Sequence, residues 1–255
     1  MILAVLQARM SSTRMPGKVM APVLGEPMIW RQIERMRRAR TLSKIVVATS
    51  TAASDDALAG FLLGRGCSVY RGDLNDVLAR FAACAAAWNP DHVVRLTADC
   101  PLIDPQVIDA ATALAVSQAA DYASNCEQRS YPDGLDVEVI SVGALAAAAR
   151  EATGAFDREH VTPFIRSRPE RFRQAHLIQA RNLGALRWTV DRPEDFAFVR
   201  AVFGKLYPVD PGFGMEEVLE LLAERPDLAA LAARAQEAAG PVAEPTVIET
   251  PAVAA

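Results

Sequence analysis

Residues 2–18 read ILAVLQARMSSTRMPGK. The first seven are an apolar run of strand length. The rest sets Arg9, Arg14 and Lys18 among hydroxyls and closes on Pro16 and Gly17. An apolar strand opening straight into a cationic loop suits a parallel α/β sheet, where ligands gather beyond the carboxyl ends of the strands. The pattern recurs downstream. SKIVVATS (Ser43–Ser50) and DHVVRLT (Asp91–Thr97) read as strands buried on both faces. Between the strands, EPMIWRQIERMRRAR, SDDALAGFLLGRG and NDVLARFAACAAAW carry helical period. Ser54 or Asp55 suits the start of the second helix and Gly64 or Gly66 its end. This β-α-β-α-β order predicts an α/β protein with a mostly parallel, twisted, Rossmann-like sheet flanked by helices. The loops after strands one and three, RMSSTRMPGK and ADCPLIDP, then share one edge of the sheet.

Past Asp121 the rhythm changes. DYASN and YPDGLDVEVIS read as strand, turn, strand, with Asp133-Gly134 as turn signal before alternating Leu135, Val137 and Val139. SVGALAAAAREA and FDREHVTPFIRSRP read as helices, the second with Phe156, Val161, Phe164 and Ile165 as a buried stripe. RFRQAHLIQA and LRWTVD read as strands. Residues 126–186 thus form a small β-rich excursion that rejoins the main sheet at RWTVD. RPEDFAFVRAVFGKL and GMEEVLELLAERPDLAALAARAQEAA are helical and complete a single domain, residues 1–239. The tail 240–255 lacks period, is rich in Pro and Ala, and is expected to be disordered.

A net charge of −4 makes the whole chain a poor polyanion binder, so no nucleic-acid partner is expected. The cationic run RQIERMRRAR reads as a solvated helix face. The four cysteines are scattered with no C-x-x-C pair, which predicts buried, reduced thiols in a cytoplasmic protein. MILAVL is too short for a membrane span or a signal h-region.

On its residues alone, the loop holding Arg9, Arg14 and Lys18 is either a polar surface loop or an anion site. Arginine offers bidentate forks to phosphate oxygens, lysine a point charge, and glycine lets backbone amides approach. Neither a Walker A nor a G-x-G-x-x-G pattern is present. Asp99, just past the third strand, reads as a turn residue or as a site carboxylate. Asp191 in RWTVDRPEDF reads as a helix cap or the same.

The stretch LQARMSSTRMPGKVMAPVLGEPMI (Leu6–Ile29) resembles the opening signature of the cytidylyltransferase family. That family includes CMP-KDO synthetase, the acylneuraminate cytidylyltransferases and the spore-coat polysaccharide biosynthesis protein F group. TADCPLIDP is most similar to the spore-coat group, and VDRPEDF is similar to the family's C-terminal motif. The resemblance implies the fold of nucleotide-diphospho-sugar transferases, with CTP held by Gln7, Ala8, Arg9, Ser12, Arg14 and Lys18. It implies Mg²⁺ on Asp99 and Asp191, with Lys18, Arg14 and Asp99 as catalytic residues. Less directly, it points to Arg71 and Thr97 beside the nucleotide, and to Asp76, Asp133, Asp136 and Arg158 beside an acidic sugar acceptor. It also implies a homodimer formed through the excursion.

Such a site would attack the α-phosphorus of CTP with an acceptor oxygen and expel pyrophosphate, a step driven by positioning and charge neutralisation. Two other functions are weighed against it. A glycosyltransferase of the related fold usually carries Asp-x-Asp, absent here. A non-catalytic nucleotide-binding module would show a damaged site.

Overall fold

Strand β1 (Ile2–Gln7) has parallel neighbours on both sides, β4 (Lys44–Ser50) and β6 (His92–Thr97), and β5 (Ser68–Gly72) extends the sheet beyond β4. Beyond β6 come β8 (Glu138–Ser141), antiparallel to it, then β7 (Tyr122–Ser124) and β9 (Gln174–His176). The computed structural model describes residues 1–239; the tail at 240–255 lies outside the described residues. The sheet order is β5-β4-β1-β6-β8-β7-β9, and a small antiparallel pair, β2 (Pro22–Val23) with β3 (Glu26–Pro27), stands apart.

Alternation in β1 explains why its sequence is apolar throughout. Ala4 and Leu6 face one core, with Val47, Val94 and Leu96; Leu3 and Val5 face the other, with Val46 and Val93. Helices α1 (Met28–Met36), α2 (Asp56–Gly64) and α4 (Pro105–Ser117) bring Ile29, Leu58 and Ile108 to the first core. Helices α3 (Val77–Trp88) and α5 (Val142–Glu151), with the short α7 (Pro163–Arg166), bring Phe81, Leu145 and Ile165 to the second. A third cluster forms around Trp188, Val190, Phe198 and Phe203, under α8 (Pro193–Leu206), α9 (Met215–Glu224) and α10 (Pro226–Ala239).

Strand β1 is where the connections change direction, with β4 on one side and β6 on the other. Gln7 and Thr97 are register partners, so the loops leaving β1 and β6 emerge side by side at the carboxyl edge. In open α/β sheets this is the place for a ligand.

Several local readings change. The arginines of α1 are not a solvated face: Arg31 is 7 % exposed and Arg35 1 %. Their guanidinium groups donate to the carbonyls of Val23, Leu24, Leu102 and Ile103, and so tie the helix to two loops. Carbonyl acceptors and the faces of Tyr207 and Phe213 offset part of the cost of burying these cations, though burial still pulls Arg35 down to about 10. The strands of the excursion join the main sheet, as β8 and β9. Gly134 makes the expected turn, but no hairpin forms across it. Trp188, too, lies outside any strand, and Asp133 meets Arg187 through an isolated bridge. FDREHVTPFIRSRP breaks at Val161 (φ 72°) into α6 (Ala155–His160) and α7, which leaves Phe156 65 % exposed instead of in the stripe. The C-terminal helix divides at Pro226. All four cysteines are free; Cys84 and Cys100 are buried and the other two half-buried.

Candidate active site

The loop after β1 folds back on itself. The Met10 carbonyl accepts from the amides of Ser12 (3.0 Å) and Gly17 (2.9 Å), and Gly17 takes a left-handed φ of 73° that a side chain would strain. Asp55 fixes the loop from outside, accepting from the Met10 amide at 2.8 Å while its other oxygen takes Thr49 and Ser50. In this closed loop Arg14 is exposed and Arg9 half-buried, whereas Lys18 is buried.

Lys18 begins a single 3₁₀ turn and its side chain is only 10 % exposed. Its ammonium donates to the Val190 carbonyl at 2.6 Å and lies 3.1 Å from Asp191 Oδ1 and 3.5 Å from Asp99 Oδ2. One cation thus meets both aspartates that the sequence places far apart. Backbone contacts enforce the meeting: the Val190 amide (2.7 Å) and the Thr189 hydroxyl (3.2 Å) donate to the Asp99 carbonyl.

Asp191 does not cap α8. Asp195 does that, accepting from the amides of Asp191 and Arg192, so the Asp191 carboxylate is free for the site. Arg14 reaches it at 3.0 Å and Arg187 at 2.9 Å. Burial alone would raise the Asp191 carboxyl; Lys18, Arg187 and Arg14 outweigh it and hold the group below its ordinary value. Burial and the Asp99 charge push the neighbouring Cys100 thiol far up, so it stays protonated and is no nucleophile.

Arg187 is the residue that sequence reading missed. Its guanidinium lies against Asp133 (2.9 Å), Asp191 (2.9 Å) and Asp195 (3.3 Å) and sets the orientation of the second carboxylate. The i, i+4 spacing of Arg187 and Asp191 was the available signal, though such spacing implies a contact only on a helix, and this segment is not one.

A cavity of about 310 Å³ opens over these groups, lined by Gln7, Ala8, Arg9, Ser12, Arg14, Lys18, Thr97, Asp99 and Asp191, with His160 at its side. Arg71 is not among its walls: it is bonded to the carbonyls of Ser50 and Ala52 and to Asp56. Nor are Asp76 and Arg158, which pair with each other at 2.6 Å; Asp76 caps α3, and Arg158 ties α6 to the end of α5. Asp136 lines a second cavity, where Arg129 holds it through two bonds. Asp133 lies between, against Arg187, and burial together with Asp136 raises its carboxyl to about 6.

Among the described residues no group of three or more His, Cys, Asp or Glu side chains is placed to hold a metal ion. Asp99 and Asp191 therefore form a two-carboxylate set with a cation already between them. That donor set fits Mg²⁺, a hard ion that takes one or two carboxylates and fills its octahedron with phosphate oxygens and water.

A cationic loop and two converging carboxylates meet at the carboxyl edge of this sheet, and comparison with known proteins gives the class: a nucleotidyltransferase. The chain belongs to the cytidylyltransferase family, whose profile matches residues 3–212. It is 32 % identical to the spore coat polysaccharide biosynthesis protein SpsF of Bacillus subtilis, over 89 % of this chain and 96 % of that one. It is 38 % identical to a 3-deoxy-manno-octulosonate cytidylyltransferase of Syntrophotalea carbinolica, over 44 % of each. Its fold is similar to that of a solved cytidylyltransferase from Leptospira borgpetersenii (TM-score 0.84, 28 % identity, 89 % and 95 % of the two chains). No helix among the described residues is long and apolar enough to cross a membrane.

Proposed function

We propose that the protein transfers CMP from CTP to a hydroxyl of an acidic sugar, with Mg²⁺ and with release of pyrophosphate, in cell-surface glycan biosynthesis. The observation that carries the reading is the meeting of Asp99 and Asp191 on one lysine beside a cationic loop. The name of the Syntrophotalea relative supports the sugar acid, and that of the Bacillus relative supports the pathway class.

In this reading Arg9, Arg14 and the loop amides near Ser12 bind the β- and γ-phosphates, and Gln7, Ala8 and Thr97 border the nucleoside. Asp99 and Asp191 would hold the Mg²⁺. The bound ion would supply charge neutralisation at the α-phosphate and a lowered pKa for the acceptor hydroxyl. Lys18 exchanges its carboxylate partners for phosphate oxygens as CTP enters and then stabilises the charge that grows on the leaving diphosphate. Arg187 keeps Asp191 aimed inward. The acceptor occupies the second cavity, next to Asp136, with its hydroxyl toward the α-phosphorus. No covalent enzyme intermediate forms.

Incubating the protein with CTP, Mg²⁺ and 3-deoxy-manno-octulosonate or a panel of related acids, and following pyrophosphate, tests the reading. Asp99→Asn should fold normally and lose at least about a hundredfold in rate. Full rate in that variant, or no pyrophosphate release from CTP with any of the acids, would remove the reading.

A further inference from the structure

Asp133 is a wall of neither cavity, yet several contacts fix its place. Its amide donates to the Leu186 carbonyl at 2.8 Å, and its carbonyl accepts from the Trp188 amide at 2.6 Å. Gly134 follows with φ 113°, and a Cβ there would come within 2.6 Å of the backbone at Trp188 and Thr189. Only glycine lets the two segments lie this close. The contact sets the Asp133 carboxylate against Arg187, on the segment that ends in Asp191. Arg129 stands 3.7 Å from the other Asp133 oxygen but gives two bonds to Asp136, so Arg187 is the main partner of Asp133.

The donors of Arg187 are divided among three acids. Nη1 donates to Asp133 Oδ2 at 2.9 Å, and Nη2 donates to Asp191 Oδ2 at 2.9 Å and to Asp195 Oδ2 at 3.3 Å. Nε reaches Asp195 Oδ1 at 3.4 Å. Asp133 and Asp195, neither of them a proposed metal ligand, therefore hold the planar group from its two ends. A guanidinium held at both ends keeps one orientation, and that orientation presents Nη2 to Asp191. Charge acts in the same sense. The Arg187 side chain is only 11 % exposed, so its cation needs acids whether or not Asp191 is engaged elsewhere. With Asp133 and Asp195 in place, Asp191 can give its charge to a metal ion. Without Asp133, the arginine would draw harder on Asp191 and compete with the ion for it.

Resting on the cytidylyl-transfer reading, we infer that Asp133 is a positioning residue for the metal site: it fixes and neutralises Arg187, and so leaves Asp191 free for Mg²⁺, without itself touching CTP, the ion or the acceptor. The readout is the Mg²⁺ concentration that gives half-maximal tightening of CTP binding, measured by calorimetry without turnover. At about pH 8 the Asp133 carboxyl, raised to about 6, is ionised. Asp133→Asn should raise that Mg²⁺ concentration by about tenfold while CTP binding without Mg²⁺ is not weakened. Added to Arg187→Gln, the same change should raise it by less than about twofold, because the group through which Asp133 acts is gone. Asp133→Ser repeats the cycle with a smaller side chain, and unfolding curves show which variants are folded. A wild-type Mg²⁺ requirement in a folded Asp133 variant overturns the inference. So does an equal rise with and without Arg187, or an effect confined to the KM of the acceptor at saturating Mg²⁺. Failure of the underlying reading looks different: CTP binding by the wild type would not respond to Mg²⁺ at all, and the inference would fall with it.

Discussion

Lys18 holds two carboxylates and a carbonyl at once, and this explains why its side chain is buried in a loop that otherwise faces water. Arg187 acts on the same site from the other side, through Asp191. Replacing it with Gln keeps some hydrogen bonding but leaves three acids without their shared cation. Groups that orient a metal ligand are worth roughly 10–100-fold in activity or metal affinity. Arg187→Gln should therefore raise the Mg²⁺ concentration needed for half-maximal rate by at least about tenfold. An unchanged Mg²⁺ requirement would deny Arg187 its positioning role. At this scale the sequence was legible where motifs are local: Arg9, Arg14, Lys18, Asp99 and Asp191 all reach one cavity. The resemblance put Asp76 and Arg158 beside the acceptor, and one dimension could not show that this aspartate caps α3 and pairs with an arginine 82 positions away.

The loop after β1 depends on Asp55, a fully buried carboxylate from the turn before α2. Burial raises its pKa, but donation from the Met10 amide, the Ser50 hydroxyl and amide, and the Thr49 hydroxyl outweighs that and holds it below the ordinary 3.8. A depressed carboxylate contributes stability above its unfolded pKa and loses it as pH falls through the folded value. Asp55→Ala should thus destabilise the fold by about 3 kcal/mol at neutral pH, since it orphans several buried donors, and the gap to wild type should shrink below about pH 4. Urea unfolding at pH 7 and pH 3 checks this; a gap that widens on acidification would contradict it. The element was visible as a helix start, with Asp55 as one candidate for its cap. That Asp55 makes no side-chain bond to α2 and anchors the cationic loop instead was hidden, since its partners lie in the loop after β1 and on β4. The arginines of α1 were misread for a related reason. Helical period shows which residues share a face, but not that loop carbonyls wait opposite that face.

Over the whole molecule, apolar runs in β1, β4 and β6 pointed to a parallel sheet because strands covered on both faces must be apolar throughout, and both cores are present. The later strands were harder to place. β7, β8 and β9 have three or four residues each, too few for alternation to say which neighbour they join. The homodimer implied by the family resemblance remains our proposal at this scale: sedimentation should give twice the 27.5 kDa chain mass, and a single-chain mass at micromolar concentration would exclude it. The account as a whole turns on whether Asp99 and Asp191 form a metal-dependent nucleotide site. Calorimetric titration of CTP with and without Mg²⁺, into wild type and the Asp99→Asn/Asp191→Asn variant, measures this most directly. Mg²⁺ should tighten CTP binding by at least about tenfold in the wild type and leave the variant unaffected. The same Mg²⁺ enhancement in both proteins would contradict the account.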